Sequence, residues 1–258
     1  MYKICVPVSG SNLKQFLDNL VHIQSRHDFV ELQLDSIAGL NVTDLDIIRK
    51  TIKVKAIASF RIQEELVNFG VSQHDQLDYQ LAILAKCLQL SFDYIDIDFT
   101  IVKNFCLPIK NPKNKPKKKS NQILEVVDPT KLNLNIKSPN TKLIFSYYNP
   151  KNTNNYRFLR RIQDQMKGLG CDIQKIICKV NTNEDLKILT RLLTSKTTNE
   201  QLIVLGIGQL STFLSVQGLL LGNYLTFAVL DENQSKITGQ TTEQTTLQEI
   251  KSALKLLG

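Results

Sequence analysis

Tryptophan is absent from this 258-residue chain, histidine occurs three times, and no apolar run approaches the roughly 18 residues that a membrane-spanning helix needs. The first residues, MYKICVPVSG, begin directly with a strand-like run. They lack both the apolar core of a signal peptide and an Arg-rich transit pattern, so a cytoplasmic protein is expected. Cysteines Cys5, Cys87, Cys106, Cys171 and Cys178 are odd in number, scattered and without a C-x-x-C pair. That pattern speaks against a disulfide framework and a cysteine-based metal site, and for reduced thiols in the core. No glycine-rich turn follows the first strand, which removes the usual sign of a nucleotide-binding sheet.

The net charge of +8 suggests an anionic partner until it is located. The segment 110–119, KNPKNKPKKK, carries six lysines and no acid, so the rest of the chain stands at only +2. Two prolines and the lack of any apolar residue make this segment a solvated loop. It is also the one place where a protein partner, a nucleic acid or another anionic surface would dock electrostatically.

What is present is organised around residues 171–180, CDIQKIICKV. This apolar, β-branched run, bounded by glycines before it and Asn181 after it, reads as a strand buried on both faces. Lys175 sits in its middle. Lysine is almost never buried without a role, and desolvation is expected to lower its pKa and make the amine a Schiff-base nucleophile. The plain alternative is a lysine that snorkels to solvent.

Strand-like runs at 2–8, 29–34, 54–60, 94–97, 143–147, 173–180, 202–205 and 225–230 alternate with helical patterns. Helices are expected at about 12–26, after a Thr43 cap, at 75–90, 154–166, from 183, through 219, and at 245–257. Eight short apolar strands with helices between nearly all of them predict a single (β/α)8 barrel over 1–258, an α/β fold. The pattern breaks at 104–140, where the expected fourth helix gives way to a Lys/Asn/Pro-rich insertion and only 123–127 looks ordered. Chemistry in such a barrel sits at the C-terminal ends of strands. That rule selects Glu31, Gln33, Arg61, Glu65, Asp98, Tyr148, Asn149, Gln209, Thr212, Lys236 and Gln240 beside Lys175.

VELQLD (30–35), SFRIQEE (59–65), YIDID (94–98), IFSYYNP (144–150), DIQKI (172–176), GQLST (208–212) and the TGQ ending at Gln240 fall in an order that resembles the type I 3-dehydroquinate dehydratases. These are Schiff-base enzymes of the shikimate pathway. The resemblance implies a cofactor-free lyase with Lys175 as the reactive amine and Glu31 orienting the imine. It places Arg61, Glu65, Ser235, Lys236 and Gln240 on substrate. The family's catalytic histidine corresponds to Tyr148, and its carboxylate-binding arginine to Thr212. A phenol is mostly protonated at neutral pH and is a poor proton shuttle. His22 and His27 lie away from the catalytic face, which leaves His74 as the surrogate base. A different structural role is open too, with Glu31 and Arg61 pairing across adjacent strands to hold the fold.

These departures favour a family barrel that is catalytically impaired or inactive and serves as a binding or assembly module. The alternatives are an active dehydratase and another lysine-dependent lyase or aldolase. The expected ligand is a small molecule or anion in the barrel mouth. A homodimer is compatible with the reading.

Overall fold

The computed structural model describes residues 2–61, 73–107, 132–134, 137–230 and 245–257. The barrel strands are β1 (Ile4–Val8), β2 (Phe29–Gln33), β3 (Lys55–Ser59), β4 (Tyr94–Asp98), β5 (Lys142–Asn149), β6 (Ile173–Lys179), β7 (Leu202–Ile207) and β8 (Thr226–Phe227). They pair in parallel in the order β8-β1-β2-β3-β4-β5-β6-β7. Between β7 and β8 the ring nearly closes, with the Tyr224 N–H donating to Leu202 O at 2.9 Å. The expected (β/α)8 barrel is the observed one.

Helices α1 (Leu13–Gln24), α2 (Asp44–Thr51), α3 (Gln73–Gln89), α4 (Phe99–Phe105), α5 (Tyr156–Gly168), α6 (Asn183–Thr194), α7 (Ser211–Leu220) and α8 (Leu247–Leu257) surround the ring. Their starts follow from the local sequence. Asn12 accepts from the Gln15 N–H, Asn155 from the Phe158 N–H, and Thr182 forms a reciprocal capping box with Asp185. Each such cap is worth about 1 kcal/mol. Outward strand residues such as Val30, Leu32, Ile95, Phe145, Ile176 and Val204 pack with Phe16, Leu20, Leu84, Leu159 and Leu192 from the helices. This shell is the main core, and each fully buried large side chain in it contributes about 1.5–3 kcal/mol.

Inside the ring a second, smaller cluster joins Cys5, Phe29, Ile57, Tyr94, Ile144, Ile173, Ile203 and Leu225. It is a floor built from one inward residue of every strand or strand approach. The period of two then carries Glu31, Ser59, Asp96, Ser146 and Lys175 to the layer above it. An apolar floor beneath a polar layer is what turns the C-terminal end of this barrel into a site.

Several boundaries shift for local reasons. Thr43 makes no side-chain cap; Asn41 Oδ1 accepts from the Thr43 and Asp44 N–H groups instead. The fourth unit does contain a helix, the seven-residue α4, capped by Asp98 through the Thr100 N–H at 2.7 Å. Asp98, expected after the strand, is therefore both the end of β4 and a cap. Beyond α4, Cys106–Leu107 pairs in parallel with Leu132–Asn133. The lysine run and 123–127 lie outside the described residues. No helix among the described residues is long and apolar enough to cross a membrane.

Candidate active site

Lys175 is 3% exposed, so the snorkelling alternative fails. Its Nζ donates to Asp96 Oδ2 at 2.8 Å and to Glu31 Oε1 at 3.0 Å. Strands β2, β4 and β6 each contribute one member of this triad, and no two of the three strands are adjacent. The ring geometry alone brings them together. The Phe227 ring of β8 lies 4.3 Å from Nζ, adding a cation–π contact from the fourth side. Beneath, the Cys5 thiol is pushed well above its ordinary value by burial and by the Glu31 charge, with Lys175 pulling the other way, so it stays protonated.

The expectation of a lowered lysine pKa is corrected by this geometry. Burial does pull the amine down, but the charges of Asp96 and Glu31 outweigh it and hold Lys175 above its ordinary value, against a smaller push from Arg61. At rest the group is an ammonium. Burial pushes the Asp96 carboxyl up, yet Lys175 and Arg61 together hold it below its ordinary value.

Arg61, just past β3, donates to Ser146 Oγ at 3.0 Å and approaches Asp96 Oδ2 at 3.4 Å. The predicted Glu31–Arg61 pair is thus replaced by two others, Glu31 with Lys175 and Arg61 with Asp96. Asp96 is the residue that sequence reasoning missed. The signal was available, because Tyr94 and Asp96 alternate inward in a strand too short to waste an acid. Asp35, in the turn after β2, is raised by burial, while the Arg61 backbone N–H and guanidinium pull it down.

Tyr148, the last but one residue of β5, is 45% exposed, with Arg61 Cζ 5.6 Å from its ring centroid. Asn149, expected at the mouth, instead donates to Asn152 and Asn154 in the following loop. The Gln209 N–H is taken by Asn181 Oδ1 at 3.3 Å. Thr212 lies in the first turn of α7, where its hydroxyl accepts from Thr245 Oγ1 at 3.3 Å. His74 falls inside α3 rather than before it, and its side chain is outside the described residues. Glu65, Ser235, Lys236 and Gln240 are outside them as well.

Two buried polar atoms in this region have no hydrogen-bond partner among the described residues, Asp96 Oδ1 and Gln33 Nε2. An orphaned acceptor and an orphaned donor near a buried amine are what a polar, hydroxyl-bearing ligand or a bound water would satisfy. Among the described residues, no group of three or more His, Cys, Asp and Glu side chains is placed to hold a metal. The arrangement can present an amine, two carboxylates and a guanidinium to a small carbonyl compound.

The sequence matches the family model for type I 3-dehydroquinase over residues 4–258. A 3-dehydroquinate dehydratase of Coxiella burnetii (strain CbuK_Q154) is 31% identical over 229 residues, 89% of this chain and 84% of that protein. One from Methanococcus maripaludis (strain C7 / ATCC BAA-1331) is 25% identical over 256 residues, 99% of this chain and 100% of the relative. Among solved structures, the type I 3-dehydroquinate dehydratase of Clostridium difficile with covalently modified comenic acid has a TM-score of 0.73 at 18% identity, covering 99% of this chain and 92% of that one. That last likeness speaks for the fold alone.

Proposed function

Because the chain belongs to the type I 3-dehydroquinase family, we propose that it converts 3-dehydroquinate to 3-dehydroshikimate and water through an imine on Lys175. The observation that carries this reading is the buried ammonium between Asp96 and Glu31. Burying three charges costs several kcal/mol per ion before their attraction returns it, and replacing such a cluster with apolar residues is often neutral or stabilising. Chemistry on Nζ explains why it is kept. In this reading Glu31 orients the amine, Arg61 contacts the substrate from its anchor on Ser146 and Asp96, and Glu65, Ser235, Lys236 and Gln240 supply further contacts.

The test is the absorbance of the conjugated enone product with purified protein and excess 3-dehydroquinate. A rising signal abolished by Lys175→Met is expected. A folded protein giving neither the signal nor a borohydride-fixed adduct on Lys175 overturns the proposal.

A second reading, a family barrel with impaired or lost dehydratase activity, is supported by one specific feature. The position resembling the family's catalytic histidine holds Tyr148, half in solvent and stacked on Arg61. A slow but Lys175-dependent signal would favour an impaired enzyme. Adduct formation without product would favour a binding module.

A further inference from the structure

We propose that Asp96 is the proton carrier for imine formation on Lys175, taking the proton of the resting ammonium and returning it to the carbonyl oxygen of the bound ketone. This inference rests on the imine reading above and goes beyond the family resemblance, which assigns proton transfer to the position that Tyr148 occupies.

Three observations single out this carboxylate. It makes the shorter of the two contacts to the reacting nitrogen, 2.8 Å against 3.0 Å for Glu31. Its side chain is fully buried, so no bulk water reaches the transferred proton. Its Oδ2 holds both Lys175 and Arg61, whereas Oδ1 is buried with no partner among the described residues. One oxygen therefore stays tied to the cations while the other is free to face a ligand oxygen. Tyr148 offers nothing comparable. It is 45% exposed, and among the described residues it meets this network only through the Arg61 face.

The step balances. Lys175 –NH3+ gives one proton to Asp96, and the neutral amine adds to the carbonyl carbon, forming the C–N bond. Asp96 returns that proton to the resulting alkoxide, giving the hydroxyl of the carbinolamine. It next takes a second proton from the nitrogen and delivers it to the same hydroxyl. The C–O bond breaks, water leaves, the nitrogen keeps one hydrogen as the protonated imine, and Asp96 ends as the carboxylate it began as. The neighbouring cations make Asp96 a reluctant acceptor at rest, so it passes protons on rather than storing them. Glu31 has the complementary task of holding Nζ in line.

The experiment separates this step from substrate recognition by using two carbonyl probes. Formaldehyde with cyanoborohydride reads imine formation at Lys175 by peptide mass spectrometry without any substrate contact, and 3-dehydroquinate with borohydride reads the complete site. Removing either carboxylate also lowers the proton affinity of Lys175, so plateau rates are compared across a pH series for the wild type, Asp96→Asn and Glu31→Gln.

The expected result is a plateau lowered by about 10²–10⁴ in Asp96→Asn with both probes, the usual range for a lost acid–base group. Asp96→Glu is expected to recover part of it, and Glu31→Gln, which loosens the hold on Nζ but keeps the proton carrier, to lower the plateau by a clearly smaller factor than Asp96→Asn. An Asp96→Asn plateau equal to wild type, or a loss confined to Glu31→Gln, overturns the proposal. If Asp96→Asn does not fold, the Glu31→Gln arm still decides, because a large loss there moves the carrier to Glu31. Wild-type labelling by formaldehyde without any 3-dehydroquinate adduct would remove the substrate assignment and leave the Asp96 comparison intact.

Discussion

Tyr148 and Arg61 face each other across the barrel mouth, with the guanidinium carbon 5.6 Å from the ring centroid. The contact fixes the ring without giving the phenol a partner in the Lys175 network. As a residue type a phenol is a poor general base, whereas an imidazole is the side chain best suited to proton transfer at neutral pH.

Tyr148→His is therefore expected to raise kcat for the proposed dehydration by about 10²-fold. Tyr148→Phe, which keeps the ring against Arg61 and removes the hydroxyl, should leave kcat within a few-fold. Steady-state kinetics on the two variants checks both halves. A large loss in Tyr148→Phe would make the phenol itself the working group.

How much of this was legible in the sequence depends on what each residue answers to. Lys175 stood out because a β-branched run announces a strand buried on both faces, and one charge in it is conspicuous. The barrel was legible from strand and helix alternation, since those periods are local. Asp96 was not, because its meaning comes from Glu31 and Lys175, 65 and 79 residues away, which only ring closure brings to its carboxylate. The Asp98 side chain read as a mouth residue and proved to be the cap of α4, a local role that the adjacent Phe99 start of that helix explains, while its charge reaches Arg61 as a smaller contribution behind Asp96 and Glu31. The sign of the Lys175 shift failed for the same reason as Asp96. Burial is visible in one strand, but its two compensating charges are contributed by others.

Glu200 gives a pH prediction away from the site. Its side chain is 4% exposed and meets Arg160 and Lys167 at 3.2 and 3.3 Å, with the Thr197 N–H at 2.9 Å. Burial pushes it up, but these partners hold it at about 2, below the ordinary 4.5. The folded state thus binds fewer protons than the unfolded one between those values. The stabilisation is fully present above about pH 4.5 and is lost as the pH falls toward 2. With Lys167 59% exposed, solvent screening cuts its worth to about 1 kcal/mol. Glu200→Gln should lower Tm at neutral pH by a few degrees, and the two melting curves should converge in acid. A gap that persists at the lowest pH would assign the effect to packing.

Gly208 occupies φ +119, between β7 and α7. A Cβ there would meet the Asn181 side chain and stand 3.0 Å from Val180 O. The Gly208 carbonyl also accepts the Ser211 N–H at the start of α7. Gly208→Ala combines backbone strain with a clash, and should cost about 1–3 kcal/mol. Urea denaturation measures it directly.

Gln163 is 2% exposed on the inner face of α5, between Leu159 and Met166, and neither amide atom has a hydrogen-bond partner among the described residues. A buried amide left unpaired costs about 1–3 kcal/mol, while an apolar side chain of similar volume at the same place removes that cost and adds contact with the barrel wall. Gln163→Leu should therefore stabilise the protein, unlike most buried substitutions. At about 2–4 °C in Tm per kcal/mol for a chain of this size, the gain is readable by calorimetry. The proposed activity on 3-dehydroquinate should be unchanged, since α5 packs on the outside of the ring. A lower Tm in Gln163→Leu would mean that the amide has a partner, and Gln163→Glu tested beside it would then show whether that partner is a donor.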